Sequence, residues 1–200
     1  MRIFALLILF TLLSPNTEKV VGDWYAPNGI IHLTVRPNGI YEMISINADS
    51  VQKGIWEWTE DNFILDQDTF QLRDDTLWFK NYFFFIKDFK GGYQEKLTRQ
   101  AVIGTYWRKW RYDETLFMDT VTYNTNGTYM RSSDTTTGNW RMKQFQGFNY
   151  LYVEDIFRQP HPLLIMEWKT DSLVLQYYDN GESGYHQTKW KKIKTKHNNK

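Results

Sequence analysis

The chain contains no cysteine. Disulfides, thiolate metal sites, a cysteine nucleophile and a lipidated cysteine behind a signal sequence are all excluded. Charge of one sign is missing too, since 24 Lys+Arg against 23 Asp+Glu leave a net charge of +1. A chain so balanced lacks the overall attraction for phosphate expected of a nucleic-acid binder. No Gly-rich phosphate loop and no Gly-x-Ser-x-Gly elbow occur, and no two histidines stand at His-x-x-x-His spacing. Long apolar runs are absent except Ile3 to Leu13, which is too short to span a bilayer as a helix. Stability must come from a packed core without covalent staples.

Aromatic residues are abundant at 18% and supply large apolar area to bury. At the N-terminus, Met1-Arg2, the apolar run and Ser14-Pro15-Asn16 follow the order of a secretory signal peptide. The run is apolar all round apart from Ala5 and Thr11, without the stripe of a buried amphipathic helix, and since no clear Ala-x-Ala cleavage site follows it, an uncleaved membrane anchor is the alternative. The expectation is an exported protein, periplasmic or secreted, that is not an integral membrane protein once the signal is removed.

The chain reads as two diverged copies of one unit. Gly22-Asp23-Trp24 pairs with Gly104-Thr105-Tyr106-Trp107. Leu33 to Tyr41, which contains Asn38-Gly39, pairs with Val121 to Tyr129, which contains Asn126-Gly127. Gly54-Ile55-Trp56 pairs with Gly138-Asn139-Trp140, and Asn62 to Leu65 with Asn149 to Tyr152. Asp75 to Phe79 pairs with Asp171 to Leu175, and Gly92-Tyr93 with Gly184-Tyr185. Asn-Gly between alternating runs predicts tight hairpins of type I′, which needs positive φ at both central residues. Apolar residues recur at period two, as at Ile31, Leu33 and Val35, or at Leu77 and Phe79. The prediction is all-β: two tandem small antiparallel meander barrels or sandwiches behind an N-terminal signal helix. One larger barrel built from both copies is the alternative. The segments are a signal peptide at 1–19, a first unit at 20–98, a second at 104–193 and a basic tail at 194–200. The run Leu77 to Ile86 would promote aggregation if exposed, so it is predicted to be buried or at an interface between the copies.

These short motifs resemble the lipocalin-like domains of exported Bacteroidota proteins. The resemblance rests on a Gly-x-Trp strand, an apolar strand ending in Asn-Gly-x-Tyr, a second Gly-x-Trp strand and an Asp-x-Leu-x-Leu strand, and it covers both halves. It implies calycin-related meander barrels with a small-ligand-binding or unknown role. The chain departs from the usual members in lacking the lipobox cysteine and in the compactness of its first copy, which argues against a roomy cavity.

No constellation of residues carries catalysis. Asp66, Asp68, Asp74 and Asp75 cluster, yet Asp66-Gln67-Asp68 lacks the glycine and distal glutamate of a calcium loop, and a solvated hairpin end accounts for them. His32 alternates with apolar neighbours and reads as solvent-facing; His161, His186 and His197 form no ligand set. Arg108-Lys109-Trp110-Arg111 and Lys189-Trp190-Lys191-Lys192 read as outward charge alternating along strands. Asn126-Gly127-Thr128 matches a glycosylation acceptor, although its place in the turn already explains it. No metal and no cofactor are expected. The leading reading is a non-enzymatic exported binding protein for a small apolar ligand, contacted by the inward side chains Trp56, Trp58, Trp140 and Met142. Alternatives are a structural or protein-interaction module with filled barrels, and then a carbohydrate-binding module.

Overall fold

A computed structural model describes residues 15–59, 62–80, 83–87, 89, 91–112, 115–133, 135–155, 158–179 and 184–194. The apolar run Ile3 to Leu13 and the end of the basic tail lie outside them. The fold is two closed antiparallel barrels in tandem. The first comprises β1 (Gly22–Tyr25), β2 (Ile31–Val35), β3 (Ile40–Ser45), β4 (Gln52–Thr59), β5 (Asn62–Leu65), β6 (Asp68–Arg73), β7 (Thr76–Phe79) and β8 (Phe83–Lys87). The second comprises β9 (Gly104–Tyr112), β10 (Thr115–Tyr123), β11 (Thr128–Arg131), β12 (Thr137–Phe145), β13 (Phe148–Asp155), β14 (Arg158–Lys169), β15 (Ser172–Asp179) and β16 (Gly184–Lys192). Each is an up-and-down meander in which the first strand also pairs with the last, Trp24 with Lys87 and Tyr106 with Lys192. Closure leaves no bare sheet edge. The tandem arrangement holds, and the single larger barrel does not.

Period-two alternation fills each interior. In the first barrel Trp24, Leu33, Val35, Tyr41, Trp56, Phe63, Leu65, Phe70, Leu77 and Phe85 form one buried cluster. In the second, Tyr106, Val121, Tyr123, Tyr129, Trp140, Leu151, Ile165, Leu173, Leu175 and Trp190 do the same. The aggregation-prone run is dealt with in this way. Leu77 and Phe85 turn inward, while Trp78 and Phe84 pack on each other at 4.9 Å on the outer side.

Each barrel is plugged at one end by a short helix, α1 (Pro15–Val20) or α2 (Arg99–Val102). Val20 and Val102 are wholly buried in their respective cores. Four residues on, the Trp24 indole donates to the Val20 carbonyl at 2.7 Å, and the Tyr106 hydroxyl donates to the Val102 carbonyl at 2.9 Å. Gly22 and Gly104, at φ 133° and 142°, sit where a Cβ would press on Lys87 and Lys192. Those ammonium groups lie 5.5 Å and 5.7 Å from the rings of Trp24 and Tyr106. The plug is therefore a repeated feature, legible afterwards as Val-x-Gly-x-Trp and Val-x-Gly-x-Tyr.

The structure corrects three details of the repeat. Gly39 and Gly127 have φ 80° and 91°, but Asn38 and Asn126 do not have positive φ. The Arg36 and Asn124 carbonyls accept from the Gly39 and Gly127 amides, so each loop is an ordinary turn closed by a left-handed glycine, not type I′. Pro37 dictates this in the first copy, because its ring holds φ negative at the position after Arg36. Second, Trp56 lies opposite Leu65 but Trp140 lies opposite Val153. The true counterpart of Asn62–Leu65 is therefore one residue beyond Asn149–Tyr152, and a slip of one exchanges faces. Third, Gly92 lies in the linker while Gly184 opens β16, so the two are not equivalent.

That face exchange builds the contact between the barrels. Phe148, Tyr150 and Tyr152 point out of the second barrel and, with Phe145 and Leu164, enclose Ile46 of the first; Tyr25, Ile30, Ile44 and Phe89 pack against them. The loop before β2 presses into this seam. Asn28, at φ 61°, offers its carbonyl to the Tyr150 hydroxyl at 2.8 Å and its side-chain oxygen to the Gln176 amide at 3.2 Å. The Tyr152 hydroxyl donates to Asn47 at 2.9 Å, and the Lys143 ammonium donates to the Ile46 carbonyl. Asn149 pins the linker through the Tyr93 and Glu95 carbonyls and the Leu97 amide.

A Cβ on Gly39 would meet only the Trp56 carbonyl oxygen, at 3.8 Å. Gly39→Val therefore tests backbone strain almost in isolation. A loss of about 1 kcal/mol or more is expected, read as a lower urea midpoint. An unchanged midpoint would contradict the turn geometry.

Candidate functional site: the barrel interiors

The four expected contact residues all lie on inner faces, two in each barrel. Trp56 and Trp58 belong to the first interior and Trp140 and Met142 to the second, at matched positions on β4 and β12. The two indoles are held alike. Trp56 Nε1 donates to the Arg36 carbonyl at 2.7 Å, and Trp140 Nε1 donates to the Asn124 carbonyl at 3.1 Å. Both acceptors belong to the preceding Asn-Gly loop, and the backbone amides of the two tryptophans donate to the Gly39 and Gly127 carbonyls as well. Each ring is then packed. Trp56 contacts Phe63 at 5.7 Å, the first link of a chain through Phe70 to Phe85 and Phe79. Trp140 meets Tyr123 at 5.2 Å and lies under the Arg99 guanidinium at 4.9 Å. A pocket of about 70 Å³ beside Trp140 is lined by Asn139, Arg141, Tyr152 and Glu154, on the outer side of β12 and β13. It is far smaller than the several hundred Å³ of typical small-molecule sites.

Polar chemistry gathers at two points, at the exposed rim of the first barrel and in the interior of the second. In the first, the Tyr41 hydroxyl donates to Asp66 at 2.6 Å, and the same carboxylate accepts from the Ile55 amide at 3.0 Å. Gly54 makes this possible, because a Cβ there would lie 2.5 Å from both Asp66 and the Tyr41 ring. Burial, and then the Asp66 bond, push the Tyr41 phenol up to about 12, and the same bond holds the Asp66 carboxyl below its usual range. Asp66 and Asp74 have φ 51° and 52°, so they serve as turn residues of their hairpins. In the second barrel Arg108 forms a two-pronged pair with Asp119 at 2.5 Å and 2.6 Å, and the Asp119 side chain is 1% exposed. Beneath it, burial raises the Tyr123 phenol.

The structure turns Arg108 inward to Asp119, against the outward alternation expected of the basic stretch Arg108–Arg111. The signal was available in alternation with Tyr106 and Val121. His32 is also corrected. It lies on the outer face but only 14% of its side chain is exposed, because it bonds Asp23 at 2.9 Å and stacks on Tyr25 at 4.7 Å. His186 stacks on Tyr177 at 5.3 Å, and the side chain of His161 is outside the described residues. Among the described residues no three His, Asp or Glu side chains come together as a metal site requires.

Two carboxyls make the first barrel sensitive to acid. Lys53 at 2.8 Å and Arg36 at 2.7 Å hold Glu42 at about 2, against an ordinary 4.5, and Asp66 is lowered by Tyr41. A carboxyl depressed by folding stabilises the protein above its unfolded pKa, and that contribution fades as pH falls through the folded value. Urea midpoints should therefore decline between pH 4.5 and about 2. The raised Tyr41 acts in the opposite direction, with stability lost as pH climbs from 10.0 through about 12. Asp66→Asn should flatten the acid limb; a profile parallel to wild type would refute the assignment.

No protein-family model and no curated protein matches this sequence. Among solved structures, the chain is similar to a protein of unknown function of the DUF3598 family from Nostoc punctiforme. That alignment covers 88% of this chain and 97% of the other at 10% identity, with a TM-score of 0.26, a level that carries no argument about function or fold.

Proposed function

We propose that this is an exported, non-enzymatic binding protein of lipocalin-like architecture, whose barrels are filled supports and whose contacts are made on the outside. The observation that carries the reading is the treatment of the matched indoles. Trp56 and Trp140 are 6% and 4% exposed, hydrogen-bonded to loop carbonyls and packed between rings. Side chains so committed behave as core, and displacing them for a ligand would leave a buried N–H without its acceptor. The apolar run at Ile3–Leu13 supports export. A small apolar ligand bound inside remains the second reading, for the second barrel in particular. There β14 runs for 12 residues, whereas the longest strand of the first barrel has 8, and longer strands enclose more volume.

Substitution separates the two. If the interiors are packed, Trp56→Ala and Trp140→Ala should each cost roughly 3–5 kcal/mol. Saturable uptake of an environment-sensitive apolar dye should be absent from the wild type. Small losses of stability together with dye binding that the substitutions abolish would establish the ligand carrier instead.

A further inference from the structure

The two basic stretches of the sequence meet in the fold. β9 and β16 close the second barrel side by side, with Lys191 opposite Trp107. Alternation then sorts the residues. Arg108 turns inward to Asp119, Trp190 joins the core and Lys192 covers Tyr106. Left on the outer face are Lys109, Lys189 and Lys191, all exposed. Among them stand the largest exposed apolar side chains of this barrel: Trp107 at 49%, Met118 at 60% and, on β11, Met130 at 49%. Trp107 lies opposite Thr120 and Lys109 opposite Met118, so indole, thioether and ammonium share one patch. No described outward position on β16, β9, β10 or β11 carries a carboxylate. In a chain of net charge +1, this is a concentration of one sign. The first barrel packs on the other half of the ring, from Lys143 and Phe145 of β12 through β13 and β14 to Gln176 of β15.

We infer that this face docks on an anionic lipid bilayer surface. The inference rests on the reading of the barrels as filled modules that bind through their exteriors. Charge complementarity selects an anionic partner, and the apolar residues select lipid over a soluble polyanion. An indole settles at the headgroup level, and flexible methionines can enter the acyl boundary. Lysine stems lie along that boundary with their ammonium groups among the phosphates. A nucleic acid or sulfated glycan would be served better by arginine forks, whereas the exposed cations among the described side chains of this face are lysines.

The test is co-sedimentation of the full chain with vesicles of phosphatidylcholine alone or mixed with phosphatidylserine. Binding to the mixed vesicles should be about tenfold or more tighter, and weakened by salt. K109E/K191E should remove at least that margin, and Trp107→Ala should weaken binding several-fold. Lys96→Glu, exposed in the linker that Asn149 of β13 holds, should bind as wild type, and circular dichroism should show all variants folded. Equal binding to both vesicles, or to neither, overturns the proposal. So does binding to heparin or single-stranded DNA that is as tight as to vesicles and indifferent to Trp107→Ala, which would make the face a polyanion site. Stability of the Trp56 and Trp140 variants tests the filled-barrel reading separately, so the two ideas can fail independently.

Discussion

A buried indole N–H has to find an acceptor, and in this protein that requirement organises both barrels. In the Asn-Gly loop between the second and third strands of each unit, the carbonyl of Arg36 or Asn124 closes the turn by accepting from Gly39 or Gly127 and keeps a second lone pair. The tryptophan of the fourth strand reaches back and uses it. One interaction thereby fixes the register of the fourth strand, anchors a large ring in the interior and ties down a turn that would otherwise only connect strands. The glycine two residues before each tryptophan lies opposite a buried tyrosine, Tyr41 or Tyr129. In the first barrel its missing Cβ admits both that ring and the Asp66 carboxylate.

From that shared lock the two copies diverge in ways that suit different places. The first barrel has the shorter strands and a continuous chain of phenylalanines, and it presents Ile44, Ile46 and the Asn28 loop to its neighbour. The second carries large apolar residues on both faces of β13: Leu151 inside, Tyr150 and Tyr152 outside. Its far side holds lysines among exposed tryptophan and methionine. One barrel thus has three surfaces: an apolar interior, a seam bonded to its sibling and an outer face of exposed lysine, tryptophan and methionine.

Much of this was legible in the sequence, because closed meanders write themselves in period two. The inward positions of Trp56, Trp58, Trp140 and Met142, the glycine-ended loops and the tandem arrangement all follow from alternation and local backbone preference. What escaped was non-local. Whether Tyr150 or Leu151 faces inward depends on one residue of hairpin length, which the matching of Asn62 with Asn149 got wrong. The Asn-Gly loops were legible as turns, but their type depends on Pro37 and on the hydrogen bond closing at Arg36. The plugs by Val20 and Val102 involve carbonyls four residues before an aromatic, a relation that strand patterning does not register. Outward aromatics on β13 read as ordinary alternation until a second barrel covers them. The exposed Lys–Trp–Met face required knowing that the first and last strands of the second unit are neighbours.

Hydrogen exchange of the tryptophan side chains probes the indole locks of both barrels. In ¹⁵N-labelled protein, the Nε1–H groups of Trp56 and Trp140, assigned by single Trp→Phe substitutions, should exchange only through global unfolding. Their protection should match that of the slowest core amides. The exposed Trp107 serves as the rapidly exchanging reference within the same spectrum. Exchange of Trp56 or Trp140 at the rate of Trp107, under conditions where the core amides stay protected, would mean that the interiors are open and the indoles are not locked.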